Sequence, residues 1–250
     1  MTEPVVEVHQ ISKDADRSLH RDARQGLTSS PKWLAPKWFY DARGSDLFEE
    51  ITRLPEYYPT LAIHWVVADL TQHLDRIPGQ SPRLVAFLGG TIGNFLPDER
   101  AVVLGDLHDT LVPGDWLPPG TDLVKDPGVL VPAYDDAAGV TADFNRNVLA
   151  VLNRELGADF DLGSYQYVAL WDPENEWIEM RLRAANPARV TLSKLDLDIT
   201  VQAGEEIRTE ISAKFRKDGV GDELAKAGFE MDSWWTDPEG RFALSLARAR

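Results

Sequence analysis

Hydrophobic residues change their period several times along this chain, and the changes divide it into four regions. Across residues 1–60 the periodicity is weak and Pro and aromatic residues are frequent. Short helices are predicted around residues 23–27 and 45–53, the second with Ser45 as its N-cap, and the region reads as a cap or lid. From His64 the pattern becomes short continuous apolar runs, Trp65-Val66-Val67-Ala68 and Leu84-Val85-Ala86-Phe87-Leu88, which suit strands buried on both faces. After the second run come Gly89-Gly90-Thr91-Ile92-Gly93-Asn94 and then Val102, Val103, Leu107 and Leu111 at helical spacing, so strand, glycine turn and helix make an α/β unit. Thr141 is placed to cap a further helix whose apolar stripe is Phe144, Val148, Val151, Leu152 and Leu156.

Between about residues 165 and 215 the period drops to two, which predicts antiparallel strands with one buried face. Ile178, Met180 and Leu182 alternate with Glu179, Arg181 and Arg183, and Leu195, Leu197, Ile199 and Val201 alternate with polar neighbours. After the turn at Ala203-Gly204, the alternation predicts Ile207, Thr209, Ile211, Ala213 and Phe215 on one face. Arg208, Glu210, Ser212 and Lys214 are predicted on the other. The chain closes with a helix at about 222–227 stopped by Gly228, then two strands around the turn Asp237-Pro238-Glu239-Gly240. No internal repeat or low-complexity tract interrupts this order.

Composition narrows the class. The chain has 250 residues, 43% hydrophobic and 27% charged, as in a soluble globular protein, and no run long enough to span a membrane or act as a signal peptide. A cytoplasmic location is the expectation. The absence of cysteine excludes disulfides and thiolate chemistry. A net charge of −15 repels a phosphate backbone, so nucleic acid is not an expected partner. Among eight tryptophans, Trp38, Trp171, Trp234 and Trp235 stand beside polar or turn residues, where rings either fill the core or wall a small-molecule pocket.

The candidate chemistry is sparse. Five histidines show no metal-ligand spacing, and no Gly-x-Ser-x-Gly elbow is present, so neither a metal site nor a hydrolase nucleophile is expected. The turn from Gly89 to Asn94 follows a strand, where α/β folds bind ligands, although its glycines do not match the dinucleotide fingerprint. Glu210 and Ser212, two apart on a strand, point the same way and stand roughly 7 Å apart. Such a pair would grip both nitrogens of one imidazole, the carboxylate accepting from one N–H and the hydroxyl bonding the other nitrogen. A solvated strand face has the same spacing, and the cluster Trp38-Phe39-Tyr40 with Tyr57-Tyr58 also reads as packing within the cap.

Longer strings carry a resemblance. Pro36-Lys37-Trp38-Phe39-Tyr40-Asp41, Gly44-Ser45-Asp46-Leu47-Phe48 and Ile51-Thr52-Arg53-Leu54-Pro55-Glu56-Tyr57-Tyr58-Pro59-Thr60 closely resemble the opening of the histidine-specific N-alpha-methyltransferases of ergothioneine biosynthesis. The likeness resumes at Phe87-Leu88-Gly89-Gly90-Thr91-Ile92-Gly93-Asn94, Gly120-Thr121-Asp122-Leu123-Val124-Lys125-Asp126 and Ala133-Tyr134-Asp135-Asp136 through Thr141. It continues at Phe144-Asn145-Arg146-Asn147-Val148-Leu149 and at Trp234-Trp235-Thr236-Asp237-Pro238, covering nearly the whole chain from about residue 20.

The resemblance implies transfer of methyl groups from S-adenosylmethionine to the alpha-amino group of L-histidine, giving hercynine. By matching motif, Tyr57, Asn94 and Tyr134 would hold the substrate carboxylate region, with Gly89 on the same wall and Tyr40 near the amine as the catalytic residue. Glu210 and Ser212 fall where the family grips the imidazole, and Phe48, Thr141 and Met180 would complete the pocket. No metal is implied. For the cofactor, the resemblance implies contacts from Asp69, near the adenine, and from Leu70, which stands where the family has an aromatic residue.

One departure changes the expected architecture. Between Thr60 and His64 the family carries a long segment with the first half of its nucleotide-binding sheet and a glycine-rich cofactor loop, and here that segment is missing. Pro118-Pro119 also interrupts what the family uses as a central strand. The expected fold is therefore α/β, a reduced Rossmann-like methyltransferase sheet with an N-terminal helical cap over residues 1–60 and an inserted antiparallel substrate-binding region over 161–215. The reduced sheet would be built from 61–160 and 216–250. An exposed sheet edge would favour self-association. The alternative to an active enzyme is a homologue that binds histidine or a methylated histidine without turnover.

Overall fold

The structure is a computed structural model, and it describes residues 15–39, 41–51 and 82–250. It is a mixed α/β fold with two apolar cores. The first lies beneath an antiparallel sheet. Strands β4 (Tyr165–Asp172), β5 (Trp177–Ala184) and β8 (Glu206–Ala213) run side by side, with the short β1 (Lys32–Trp33) parallel to β8 at the edge. A separate hairpin, β6 (Ala188–Leu192) with β7 (Leu197–Val201), extends the same core. Helix α5 (Val140–Leu156) packs on this sheet through the predicted stripe, of which Phe144, Val148, Leu152 and Leu156 are buried there. The N-terminal helices α1 (Ala15–Thr28) and α2 (Ala42–Ile51) join the same core through Leu19, Ala23, Leu27, Leu47 and Ile51.

The second core holds the remaining α/β elements. β2 (Trp116–Leu117) and β3 (Gly120–Asp122) both pair antiparallel with β10 (Phe242–Ala249), which pairs on its other side with β9 (Phe229–Thr236). Pro118 and Pro119, which cannot donate to the ladder, separate β2 from β3 as expected. Helices α3 (Pro97–Thr110) and α6 (Lys217–Lys226) flank this sheet, tied by Arg100 and Glu223 at 2.8 and 3.0 Å. The short α4 (Pro127–Leu130), capped by Asp126, leads toward α5. No helix among the described residues is long and apolar enough to cross a membrane.

Four local expectations are corrected. The 84–88 run forms only two parallel bridges, Leu84 to Trp116 and Phe87 to Pro119, and Leu84 is 62% exposed rather than buried on both faces. The other predicted strand, at Trp65, lies outside the described residues. Helix α2 begins three residues before Ser45, and its first turn is capped by Asp41, whose carboxylate accepts the Gly44 N–H at 2.8 Å. Thr141 sits inside α5; the cap is Asp136, which accepts the N–H groups of Val140 and Thr141 at 3.0 and 2.8 Å. In each case a carboxylate a few residues upstream neutralises the helix N-terminus better than the local hydroxyl.

The fourth correction concerns β8. Pairing with β5 shifts between Met180 and Arg181, so that Glu210 faces Met180 while Arg208 faces Arg181, and Thr209 is left between them. This bulge reverses the alternation. Ile207 lies on the face that carries Glu210 and Ser212, and Ile211, Ala213 and Phe215 turn to the second core. The displaced Thr209 is buried, with its hydroxyl 2.6 Å from Asn145 Oδ1 on α5 and 3.0 Å from the Met180 carbonyl.

Candidate active site

The bulge sets Glu210 and Ser212 on one face of β8, which forms one wall of the candidate site. From the other wall comes the tight helical turn of Thr91–Asn94, introduced by Gly89 and Gly90, both with positive φ (81° and 73°). The turn lies so close to β8 that a Cβ on Gly93 would stand 2.9 Å from the Ala213 carbonyl oxygen. Glycine is therefore required at 93, and its closeness carries the next side chain onto the strand. Asn94 Nδ2 donates to Glu210 Oε1 at 2.7 Å. Burial pushes the Glu210 carboxyl up to about 8, with Lys214 partly opposing that rise.

Ser212 is buried, and its Oγ lies 2.7 Å from the Tyr134 hydroxyl. Tyr134 is held in turn through its carbonyl, which accepts the buried Tyr167 hydroxyl at 2.7 Å. Beneath both hydroxyls lies Lys214, whose side chain has no exposed surface. Its ammonium donates to Tyr134 Oη at 2.7 Å and to Ser212 Oγ at 2.8 Å, and it pairs with Asp122 Oδ2 at 3.0 Å. Burial alone would lower the lysine, but Tyr134 and Asp122 outweigh it, so the amine is held above its ordinary value and stays charged.

Of the residues expected from the sequence, Asn94, Tyr134, Glu210 and Ser212 are brought together. Met180 is the strand partner of Glu210 and stands beside it, while Thr141 is buried one turn before Asn145, which meets the bulge. Phe48 is half-buried against Phe144, their rings 6.2 Å apart. Gly89 is exposed at the head of the turn that carries Asn94. Tyr40, Tyr57, Asp69 and Leu70 lie outside the described residues. Trp38 donates to Asp22 at 3.2 Å. Sequence reasoning gave no role to Lys214 or Asp122. The alternation already set Lys214 on the face of Glu210 and Ser212, but only the fold shows that this end of the face is dry.

On the cofactor side, the described residues offer the Gly89-Gly90 turn at the carboxyl end of the 84–88 segment, the position at which α/β folds receive a nucleotide cofactor. Bare backbone there fits close approach by the sugar and amino-acid part of such a cofactor. Asp69 and Leu70, the cofactor contacts expected from the sequence, lie outside the described residues.

Known proteins resemble this chain over most of its length. The sequence profile of a family described as "Histidine-specific methyltransferase, SAM-dependent" matches residues 19–62 and 59–249. A histidine N-alpha-methyltransferase of Mycolicibacterium smegmatis is 46% identical over 306 residues, covering 93% of this chain and 95% of the relative. One of Mycobacterium tuberculosis is 42% identical over 311 residues, covering 95% and 97%. An ergothioneine biosynthesis protein 1 of Neurospora crassa is 29% identical over 155 residues, covering 62% of this chain and 17% of that protein.

Proposed function

This chain belongs to the SAM-dependent, histidine-specific methyltransferase family, and on that premise we propose that it methylates the alpha-amino group of L-histidine, the step that yields hercynine. The observation that carries this reading is that Glu210, Ser212, Asn94 and Tyr134, from three separate segments, are brought together and joined in pairs by hydrogen bonds. Glu210 and Ser212 take the two ring nitrogens. Asn94 takes the carboxylate region, with Tyr57 expected to join it, and Tyr134 lines that wall while its hydroxyl stays bonded to Ser212 and Lys214. Tyr40 is the expected neighbour of the amine.

The family's cofactor supplies an electrophilic methyl on a sulfonium. The chain's own residues bind and orient. A ring held at both nitrogens and a carboxylate held at the far end leave the amine little rotational freedom, which is where most of the rate enhancement of such a transfer arises. The buried floor made by Met180, Ile178 and Lys214 keeps water from that side.

A second reading, binding without turnover, has an observation of its own. The family profile matches in two parts that break at 59–62, and an alignment of 306 residues is longer than the 250-residue chain, so the relative has positions without a counterpart here. The break falls where the sequence lacks the long segment that the family is expected to carry between Thr60 and His64. Calorimetric titration with S-adenosylmethionine or its demethylated product, with and without histidine, separates the readings. Cofactor binding followed by methyl incorporation into histidine supports the enzyme. Heat from histidine alone selects the non-catalytic binder, and no heat from either ligand refutes both.

A further inference from the structure

We propose that Lys214 is a positioning residue that makes Ser212 an obligatory hydrogen-bond donor to the substrate ring, so that the site accepts imidazole as a single neutral tautomer. The inference rests on the histidine reading above and adds to it the direction of the bonds.

The argument is a count of protons. An ammonium has three donors and no acceptor, and all three of Lys214 are engaged, by Tyr134 Oη, Ser212 Oγ and Asp122. Each hydroxyl oxygen therefore already accepts one bond from Lys214. The two hydroxyls also bond one another at 2.7 Å, which uses one of their two protons. One proton is left for a ligand. A phenol is the better donor and an aliphatic hydroxyl the better acceptor, so Tyr134 donates to Ser212, which then has both lone pairs filled and its own proton free.

Ser212 can then only donate into the cleft, and the ring nitrogen it meets must be an unprotonated acceptor. Glu210, one step along the same strand face, has one oxygen committed to the Asn94 amide and, once ionised, offers the other to the ring N–H as an acceptor. Lys214 pairs with Asp122, which Lys125 also contacts. Without the ammonium, Ser212 would keep one lone pair free and would meet the ring as donor or acceptor.

The test uses the full chain and two ligands, L-histidine and a pyrrolylalanine whose ring keeps an N–H but has no acceptor nitrogen. First, the nitrogen-15 spectrum of ring-labelled histidine bound to the wild-type protein is expected to show one protonated and one unprotonated nitrogen. Averaged tautomers or a bound imidazolium would overturn the proposal, and this measurement does not depend on any variant folding. Second, folded Lys214→Met is expected to reduce the preference for histidine over pyrrolylalanine at least tenfold, and to have no such effect in a Ser212→Ala background. A merely structural lysine would weaken both ligands equally and leave the preference unchanged, which overturns the proposal but not the histidine reading. If wild-type protein binds no histidine at all, the proposed function fails first, and the inference with it.

Discussion

Asn94 and Glu210, 116 residues apart in the chain, meet at 2.7 Å, and that bond joins the glycine turn of one core to the bulged strand of the other. The amide donor engages one oxygen of the Glu210 carboxyl. At pH 9, where that carboxyl is ionised, Glu210→Ala is expected to weaken histidine binding at least tenfold, the loss of a charged hydrogen bond of about 1.5–3 kcal/mol. Calorimetry checks this, and an unchanged affinity would remove Glu210 from the imidazole grip.

Glu210 also makes stability depend on pH. Its carboxyl titrates near 8 in the folded chain against an ordinary 4.5, so between those values the native state binds more protons than the unfolded one. The contribution of the neutral carboxyl is present in full below about 4.5 and is lost as pH rises through 8. Glu210→Gln, which cannot ionise, should melt close to wild type at pH 5 and above it at pH 9, with a difference of up to a few kcal/mol. Melting curves with the same wild-type-to-variant gap at both pH values would contradict the burial argument.

Gly93 and Gly105 offer a matched pair. Gly93→Ala would drive a methyl against the Ala213 carbonyl, and the turn must retreat from β8, costing about 1–3 kcal/mol and weakening the Asn94 contact with it. Gly105→Ala, on α3 with nothing within 4 Å of the added carbon, should stabilise by about 0.5–1 kcal/mol and leave ligand binding alone. Denaturant titration of both variants, with histidine titration beside it, reads the contrast.

Arg100 tests whether the second core can be weakened without touching the site. It is buried, forks onto Glu223 across α3 and α6, and donates to the Phe95 carbonyl at 2.7 Å. Arg100→Met leaves a partly exposed Glu223 unpaired and is expected to cost about 2–3 kcal/mol, less than for a fully buried pair. Histidine affinity should stay within twofold of wild type at a temperature where the variant is folded. A loss of affinity comparable to that of Glu210→Ala would show the two cores to be coupled.

Hydrophobic period alone was enough to place α5 and its buried stripe, the hairpin of β4 and β5, and the terminal helix and hairpin, because each of these is decided by contacts between near neighbours. It also set Glu210, Ser212 and Lys214 on one side of a strand. It could not reveal the bulge at Thr209, since the extra residue is selected by pairing with β5 and by Asn145 on α5, and the strand's own pattern reads through it without interruption. The same holds for the caps. Ser45 and Thr141 are sound local signals, yet Asp41 and Asp136 win because folded backbone brings a carboxylate back to the exposed N–H groups. Lys214 shows the difference most plainly. In the sequence it is one more polar residue on an alternating face, and only burial between Tyr134, Ser212 and Asp122 gives its three donors fixed directions. Local alternation decides which way a side chain points; tertiary packing decides what it meets there and whether water remains.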